Sequence, residues 1–398
     1  MCQLPATPSH IITTDQQMLY FEHEVLARFN LSTQRLHVDL VSISKDPALL
    51  QSVTAVANAH FLHYTKMSSK DASLGQTRAR ATAVCMLRQQ LVLERTSETR
   101  VSDIFTANVL LCILDGIMEP RDEGAATHCH FYGGRAILAQ WRCLNQLLLI
   151  KRGMMALMLS IFATMDLTYA LLSGQQPYFE KTLWMNFGNS DAWWGSLDLN
   201  DPFLEILSVL SQLAAHGHRV RETSEVIPIE EILSLQMALE NTDRHSQALL
   251  QYTKSLSSSE SATIDSTSGN LEHSWYMFCS AYRSAALIYM YRVLCNLEIT
   301  HPLVQEATAL GLKAICETEF AGKLSSCLLF PTLIVGCHTL TAASRHAIRE
   351  NLKSTASYLA FGSTKVMADF LENVWSNPHD EFCWWDCFET LAKTTFLF

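Results

Sequence analysis

Apolar positions recur at helical spacing along most of the chain. From 201 to 217, Asp201 is placed to cap a first turn and Pro202 suits the first helical position. Phe203, Ile206, Leu207, Leu210, Leu213 and Ala214 then share one face, and Gly217 is placed to end the helix in a left-handed conformation. Residues 102–118 repeat the pattern with Ile104, Ala107, Leu111, Leu114 and Met118. Phe105, Val109 and Cys112 make that helix apolar nearly all round, which predicts a central position. Pro228 opens another helix with Ile229, Ile232, Leu235 and Leu239 turned inward, and Pro302 opens one with Leu303, Ala307, Leu310 and Ala314 inward. Further helices are predicted at 49–64, 78–95, 125–142, 145–173, 272–297, 329–343 and 345–373, with one more over 384–397. The brief alternation from Val41 to Ser44 is too short for a strand, and no solenoid-type repeat is visible. The expectation is an all-α fold, a large irregular helical bundle.

Punctuation agrees with this. Fifteen glycines and ten prolines in 398 residues are about half of ordinary usage. No proline falls between Pro47 and Pro120, or between Pro228 and Pro302, whereas many-stranded folds need frequent turn residues. The segment 253–270, TKSLSSSESATIDSTSGN, reads as a Ser/Thr-rich loop. It sets the expected organisation: a flexible arm over 1–19 carrying Pro5 and Pro8, a helical first part over 20–252, the loop, and a second part over 271–398. The second part is short for its apolar load and is expected to pack back on the first.

Composition narrows the classes. Apolar residues are 48% and charged residues 17%, against roughly 25% charged in an average globular protein. Such a chain forms a compact body with a large interior, or hides apolar surface against a partner. Thirty-nine acidic and 29 basic residues give −10, which argues against a chain that holds nucleic acid by itself. Twelve cysteines are scattered singly, with no CxxC, as buried thiols are used inside cells. The first twenty residues lack a basic start followed by an apolar run, so no secretory signal is expected. The most apolar stretches, 153–165 and 327–337, fall short of the roughly 20 residues a membrane span needs. A soluble chain with no membrane partner is the expectation.

Catalytic motifs are missing: there is no GxGxxG, GxxxxGK[ST], HExxH or GxSxG. Ser42-Ile43-Ser44-Lys45 has SxxK spacing without a supporting motif. His128-Cys129-His130 offers three ligand types in a row, but neighbours on a helix point to different sides, so packing is favoured over a zinc site. His60 and His63 share a helix face with no third ligand nearby, and His216 and His218 flank Gly217 where a cation would suit a helix end. Cys383 and Cys387, one turn apart, bracket Trp384-Trp385-Asp386, which favours aromatic packing over a metal or redox site. Trp193-Trp194 and Trp384-Trp385 offer aromatic walls for a pocket. Arg345, Arg349 and Lys353 form a basic stripe on a predicted helix, broken by Glu350, and a solvated face is favoured over a phosphate grip. No catalytic, cofactor-binding or metal-ligating residue is assigned, and no cofactor is implied.

A succession of weak motifs goes further. Tyr20-Phe21-Glu22-His23-Glu24-Val25 looks like an opening helix, and Leu49 to Ala57 followed by His60 like an early apolar helix ending in small residues and a His. His130-Phe131-Tyr132-Gly133-Gly134-Arg135-Ala136 resembles a "His, then Gly-Ala" segment, with Gly134-Arg135 departing from the usual pair. Asp166, Tyr169 to Gly174 and Pro177 follow, then Gly195, then Ala285-Ala286-Leu287-Ile288-Tyr289. Phe330 to Arg349, with Gly336 and Arg345, and finally Val374-Trp375 and Trp384-Trp385 complete the order. In this order, from about 20 to 398, the chain resembles the fungal-specific regulatory domain that follows the binuclear zinc cluster in many fungal transcription factors.

The resemblance implies an all-helical, nuclear regulator of transcription rather than an enzyme. It implies protein partners, in the transcription machinery or a DNA-binding factor, homo- or heterodimers, and a small-molecule effector in some members. Control of a specialised metabolic pathway is a common family role. The family's zinc cluster needs six paired cysteines, whereas only Cys2 precedes Cys85 here. Direct sequence-specific DNA binding by that route is not expected of the chain as given, which is either a shortened gene model or a protein acting without its own DNA-binding module. Two alternatives stand beside this: a dimerising or inhibitory partner of a zinc-cluster factor, and an enzyme or ligand-binding protein reusing the fold, with a pocket walled by Trp193, Trp194 or the Trp384–Trp385 pair.

Overall fold

Asp46 shows how several of these helices begin. Its carboxylate accepts the Leu49 amide at 2.8 Å, and Pro47 sits in the first turn, where its missing N–H leaves no bond unmade. Asp201 and Pro202 repeat the device, with Phe203 N–H donating to Asp201 Oδ1 at 2.8 Å. His301 and Pro302 do so with an imidazole acceptor.

The computed structural model describes residues 13–31, 38–66, 70–93, 101–120, 125–140, 147, 150, 152–198, 200–259, 266–318, 323–377 and 383–397, with no account of the side chains at 42, 93, 125–127, 245–259 and 266–271. The first helices are α1 (Thr14–Tyr20, continued by a π turn Phe21–Val25 and a 3-10 turn Leu26–Arg28), α2 (Leu40–Lys45), α3 (Pro47–Thr65) and α4 (Lys70–Leu93). Next come α5 (Val101–Ile113, ending in a π turn Leu114–Met118), α6 (Ala125–Gln140), α7 (Gly153–Ser173), α8 (Lys181–Asn186) and α9 (Pro202–Thr223). The remainder are α10 (Ile229–Ser259), α11 (Ser266–Tyr289, then a π turn Met290–Leu294), α12 (Pro302–Glu317), α13 (Leu329–Cys337), α14 (Ala342–Leu359), α15 (Gly362–Ser376) and α16 (Trp384–Thr394). Among the described residues there is no strand, and the fold is all-α.

Two helices form the centre. Every residue of α7 from Ala156 to Ser173 is buried, as is every residue of α5 from Ile104 to Ile113. Around them, α3 packs on α1, α4 and α5, α9 on α7 and α8, and α11 on α9, α10, α12 and α13. Residues beyond α16 reach into this centre: Phe396 N–H donates to Gly116 O at 2.9 Å, Thr168 Oγ1 donates to Leu397 O at 2.9 Å, and the Phe396 ring lies 5.0 Å from that of Phe131.

Several expectations need correction. Helix α1 starts at Thr14, inside the stretch expected as an arm, because Thr13 and Gln16 form a reciprocal capping box; residues 1–12 lie outside the described residues. Gly217 does not end its helix: α9 runs on to Thr223, and Ser224 takes the left-handed conformation at φ 53°. His216 and His218 are therefore inside the helix. Helix α7 starts at Gly153 rather than 145. The expected helix 345–373 is two, because Ala360 turns left-handed at φ 52°, and the expected helix 329–343 stops at Cys337. The expected loop 253–270 is helical up to Ser259 and again from Ser266, since serine lowers helix propensity without breaking a helix; 260–265 lie outside the described residues. Ile229, Leu303 and Leu310 were expected inward but stand 58%, 43% and 46% exposed. Ile232, Leu235, Leu239, Ala307 and Ala314 are buried as expected, and Val304 and Ile315 join them on the inner face of α12. Val101–Met118 and Gly153–Ser173 are long and apolar enough to cross a membrane by length and composition, contrary to the judgement from 153–165, yet 89% and 94% of those windows are buried in the bundle.

Candidate functional site

The weak motifs meet one another in space. Tyr20 OH lies 2.8 Å from His60 Nδ1. Arg135 donates to Asp166 through Nε at 2.7 Å, and its Nη2 lies 2.6 Å from the same oxygen. Trp375 Nε1 donates to Gly336 O at 2.9 Å, Arg345 Nη1 to Trp375 O at 3.3 Å, and Trp384 Nε1 to Leu171 O at 2.9 Å. Each motif is thus half of a joint between helices distant in sequence. Asp166 is fully buried; burial pushes its carboxyl up, while Arg135 and the amides of Tyr178 and Phe179 pull it back. The Arg135 guanidinium also lies 4.8 Å from the Phe131 ring centre.

The residues considered for chemistry do not converge. His128 stacks among Tyr132, Tyr169 and Phe396, Cys129 is exposed, and His130 turns toward Asp115. His60 is buried while His63 is exposed. Cys383 is exposed and Cys387 half-buried. Among the described residues no three His, Cys, Asp or Glu side chains are grouped to hold a metal. Lys45 of the SxxK match is exposed on short α2, and the Ser42 side chain is outside the description. Trp193, Trp194 and Trp384 are 0%, 3% and 4% exposed, packed among Phe187, Phe203, Phe278 and Phe388. They fill the interior and line neither of the grooves described next.

The larger groove, of about 780 Å³, runs along one face of α4, walled by Arg80, Ala81, Val84, Cys85, Arg88 and Val92. Their recurrence at three and four residues is that of a single helix face. Arg80 Nη2 pairs with Asp115 Oδ1 at 2.7 Å, and Asp115 is buried in the π turn after α5. His130 Nε2 lies 3.5 Å from Asp115 Oδ2. Burial, with Arg80 and Arg88 nearby, pushes the His130 pKa down to about 4, so the ring is neutral near pH 7 and Arg80 is the counter-ion. Asn108 holds the backbone beneath, its Nδ2 donating to His130 O at 2.8 Å. A Cβ at Gly134 would fall 2.6 Å from the Phe162 ring, so a glycine is required where α6 crosses α7. Sequence reasoning missed Arg80 and Asp115; a single carboxylate inside the apolar run 104–118 was the available signal.

A second groove, of about 180 Å³, lies between α14 and α15 and is lined by Arg349 and Lys353 of the basic stripe. Arg349 pairs with Glu372 and lies 4.8 Å from the Trp375 ring centre. Lys353 lies 4.0 Å from Glu350, Lys365 pairs with Asp369, and Arg345 donates to the carbonyls of Thr339 and Trp375. These cations are met within the fold.

Comparison with protein families gives one match, to a model described as the fungal specific transcription factor domain, over residues 19–398. No curated protein and no solved structure matches.

Proposed function

Because this chain belongs to the fungal specific transcription factor domain family, we propose that it regulates transcription through contacts of its helical body with other proteins rather than through its own hold on DNA. The observation that carries this is the basic stripe. Phosphate binding needs an uncompensated basic patch, whereas Arg349 has Glu372 beside it, Arg345 donates to the Thr339 and Trp375 carbonyls, and Lys353 has Glu350 at 4.0 Å. The net charge of −10 opposes DNA further. On this reading the protein works in the nucleus beside a DNA-binding factor, as a homo- or heterodimer, and its target genes belong to one specialised metabolic pathway. The test is the transcriptome of a strain lacking the gene against its parent, with a fluorescent fusion to place the protein. A coherent gene set that changes, with nuclear fluorescence, supports the reading. Flat transcripts with a changed metabolite would overturn it in favour of an enzyme or carrier on this fold.

The α4 groove supports a second element, an effector site. Its apolar wall with Arg88 on it suits an apolar molecule bearing a carboxylate. A rise in Tm with such a compound, lost on Arg88→Ala, is the expected result.

A further inference from the structure

Helix α10 has two apolar faces. Ile232, Leu235 and Leu239 are buried, and the helix packs on α9 and α11. Ile229, Leu233 and Met237 stand 58%, 49% and 62% exposed, and Val226, just before the helix, 88%. At 3.6 residues per turn this second line lies about 130° round the axis from the first. Isolated exposed apolar residues are ordinary, but a line of them at helical spacing marks an interaction surface.

The rim gives the sign of the partner. Glu222 lies in the last turn of α9 and Glu230 stands beside the line; neither has a counter-ion among the described residues. Glu240 continues the line of Leu233 and meets Arg244 only at 3.8 Å, with Arg244 75% exposed. Glu225 pairs with Arg219, and Glu231 lies 3.6 Å from both Arg219 and His216. Glu231, with Arg219 and His216, therefore lies on the α9 side of the helix, and beside the exposed line Glu230 and Glu240 stand against the single cation Arg244. A second copy of the chain would bring the same acidic rim against itself, and four side chains give far less than the roughly 800 Å² per partner of a stable dimer.

We propose that the line Val226, Ile229, Leu233 and Met237 is a docking face for an amphipathic helix of another protein, with apolar residues at i, i+3 or i+4 and Lys or Arg beside them. This stands apart from the transcriptional reading, since such a face serves any helical scaffold. The test uses the full chain and two labelled helical peptides, one of Leu and Lys with the leucines on one face, the other with Glu in place of Lys. The Leu/Lys peptide is expected to bind at least about tenfold more tightly than the Leu/Glu peptide. The L233S/M237S variant is expected to weaken it about tenfold with an unchanged circular dichroism spectrum and Tm, because both side chains are exposed. E230Q/E240Q is expected to weaken it and flatten its salt dependence. Equal binding to wild type and L233S/M237S would show only general attraction to an acidic chain and overturn the proposal. So would absence of binding, no preference between the peptides, or a wild-type dimer in sedimentation that L233S/M237S converts to monomer, which would make a second copy the occupant.

Discussion

The Tyr20 hydroxyl donates to His60 Nδ1 at 2.8 Å, while His60 Nε2 donates to the Leu359 carbonyl at 3.1 Å. A carbonyl can only accept, so Nε2 carries the proton and the neutral ring has Nδ1 free to accept. One imidazole thereby ties α1 and α3 to the end of α14. Beside it, Arg28 donates to Tyr358 O at 2.9 Å and the Phe29 ring stacks on Phe361 at 5.0 Å.

This arrangement makes the fold acid-sensitive. Burial pushes the pKa values of His60, His130 and His338 down to about 4, from an ordinary 6.5. The unfolded chain takes up these protons first. Their contribution is therefore complete above about pH 6.5 and is lost as pH falls toward 4, by up to about 1.4 kcal/mol per pH unit for each ring. Tm measured from pH 7 to pH 4.5 should fall, and H60Q should show a shallower fall than the wild type. An identical slope would remove His60 from the explanation.

Gly217 and Tyr289 form a tight crossing of α9 and α11. A Cβ at 217 would lie 1.9 Å from the Tyr289 hydroxyl oxygen, which is buried without a hydrogen-bond partner. G217A should destabilise the protein by about 1–3 kcal/mol or more. Y289F should be neutral or stabilising, since it removes an unsatisfied group. The double variant should recover part of the loss, so chemical denaturation of all four proteins should give a non-additive cycle.

Breaking the Arg135–Asp166 pair from one side should be severe. R135M leaves a buried carboxylate with only backbone partners, at a cost of about 3–5 kcal/mol. R135M/D166N should regain much of this in urea denaturation. Equal loss in both would mean that packing of the Arg135 stem on Phe131, not charge, is what matters.

The basic stripe should be dispensable for stability. R349A breaks an exposed pair with Glu372 and should change stability by less than about 1 kcal/mol. Purified chain should not be retained on duplex DNA in 150 mM salt, with or without R349A. Salt-dependent retention lost in R349A would overturn the indirect mode of action.

The helical class and the central helices were legible because periodicity records burial directly. Residues 102–118, apolar nearly all round, do lie at the centre. Helix ends were less legible where a non-glycine residue turns left-handed, as at Ser224 and Ala360, because no sequence signal marks such a position. Which apolar face points inward failed for Ile229, Leu303 and Leu310, since a helix with two apolar lines gives periodicity no way to choose between them. Of the site, His130 was read as a packing residue, but Arg80 and Asp115 lie 35 residues apart and only the fold brings them to 2.7 Å.

The bond from Thr168 to Leu397 spans 229 residues. At about 5–20 residues per second of synthesis, α7 leaves the ribosome roughly 10–50 s before the last segment that packs on it exists. During that interval a 21-residue helix with a mean hydropathy of 1.7 is covered only by the helices made before it and soon after it. To the machinery that sorts nascent chains, it resembles a membrane segment. Making this protein is therefore a problem of escort as much as of folding: yield should depend on holding chaperones and on slow translation, and a chain stalled before residue 397 should be handled as an insertion substrate or destroyed.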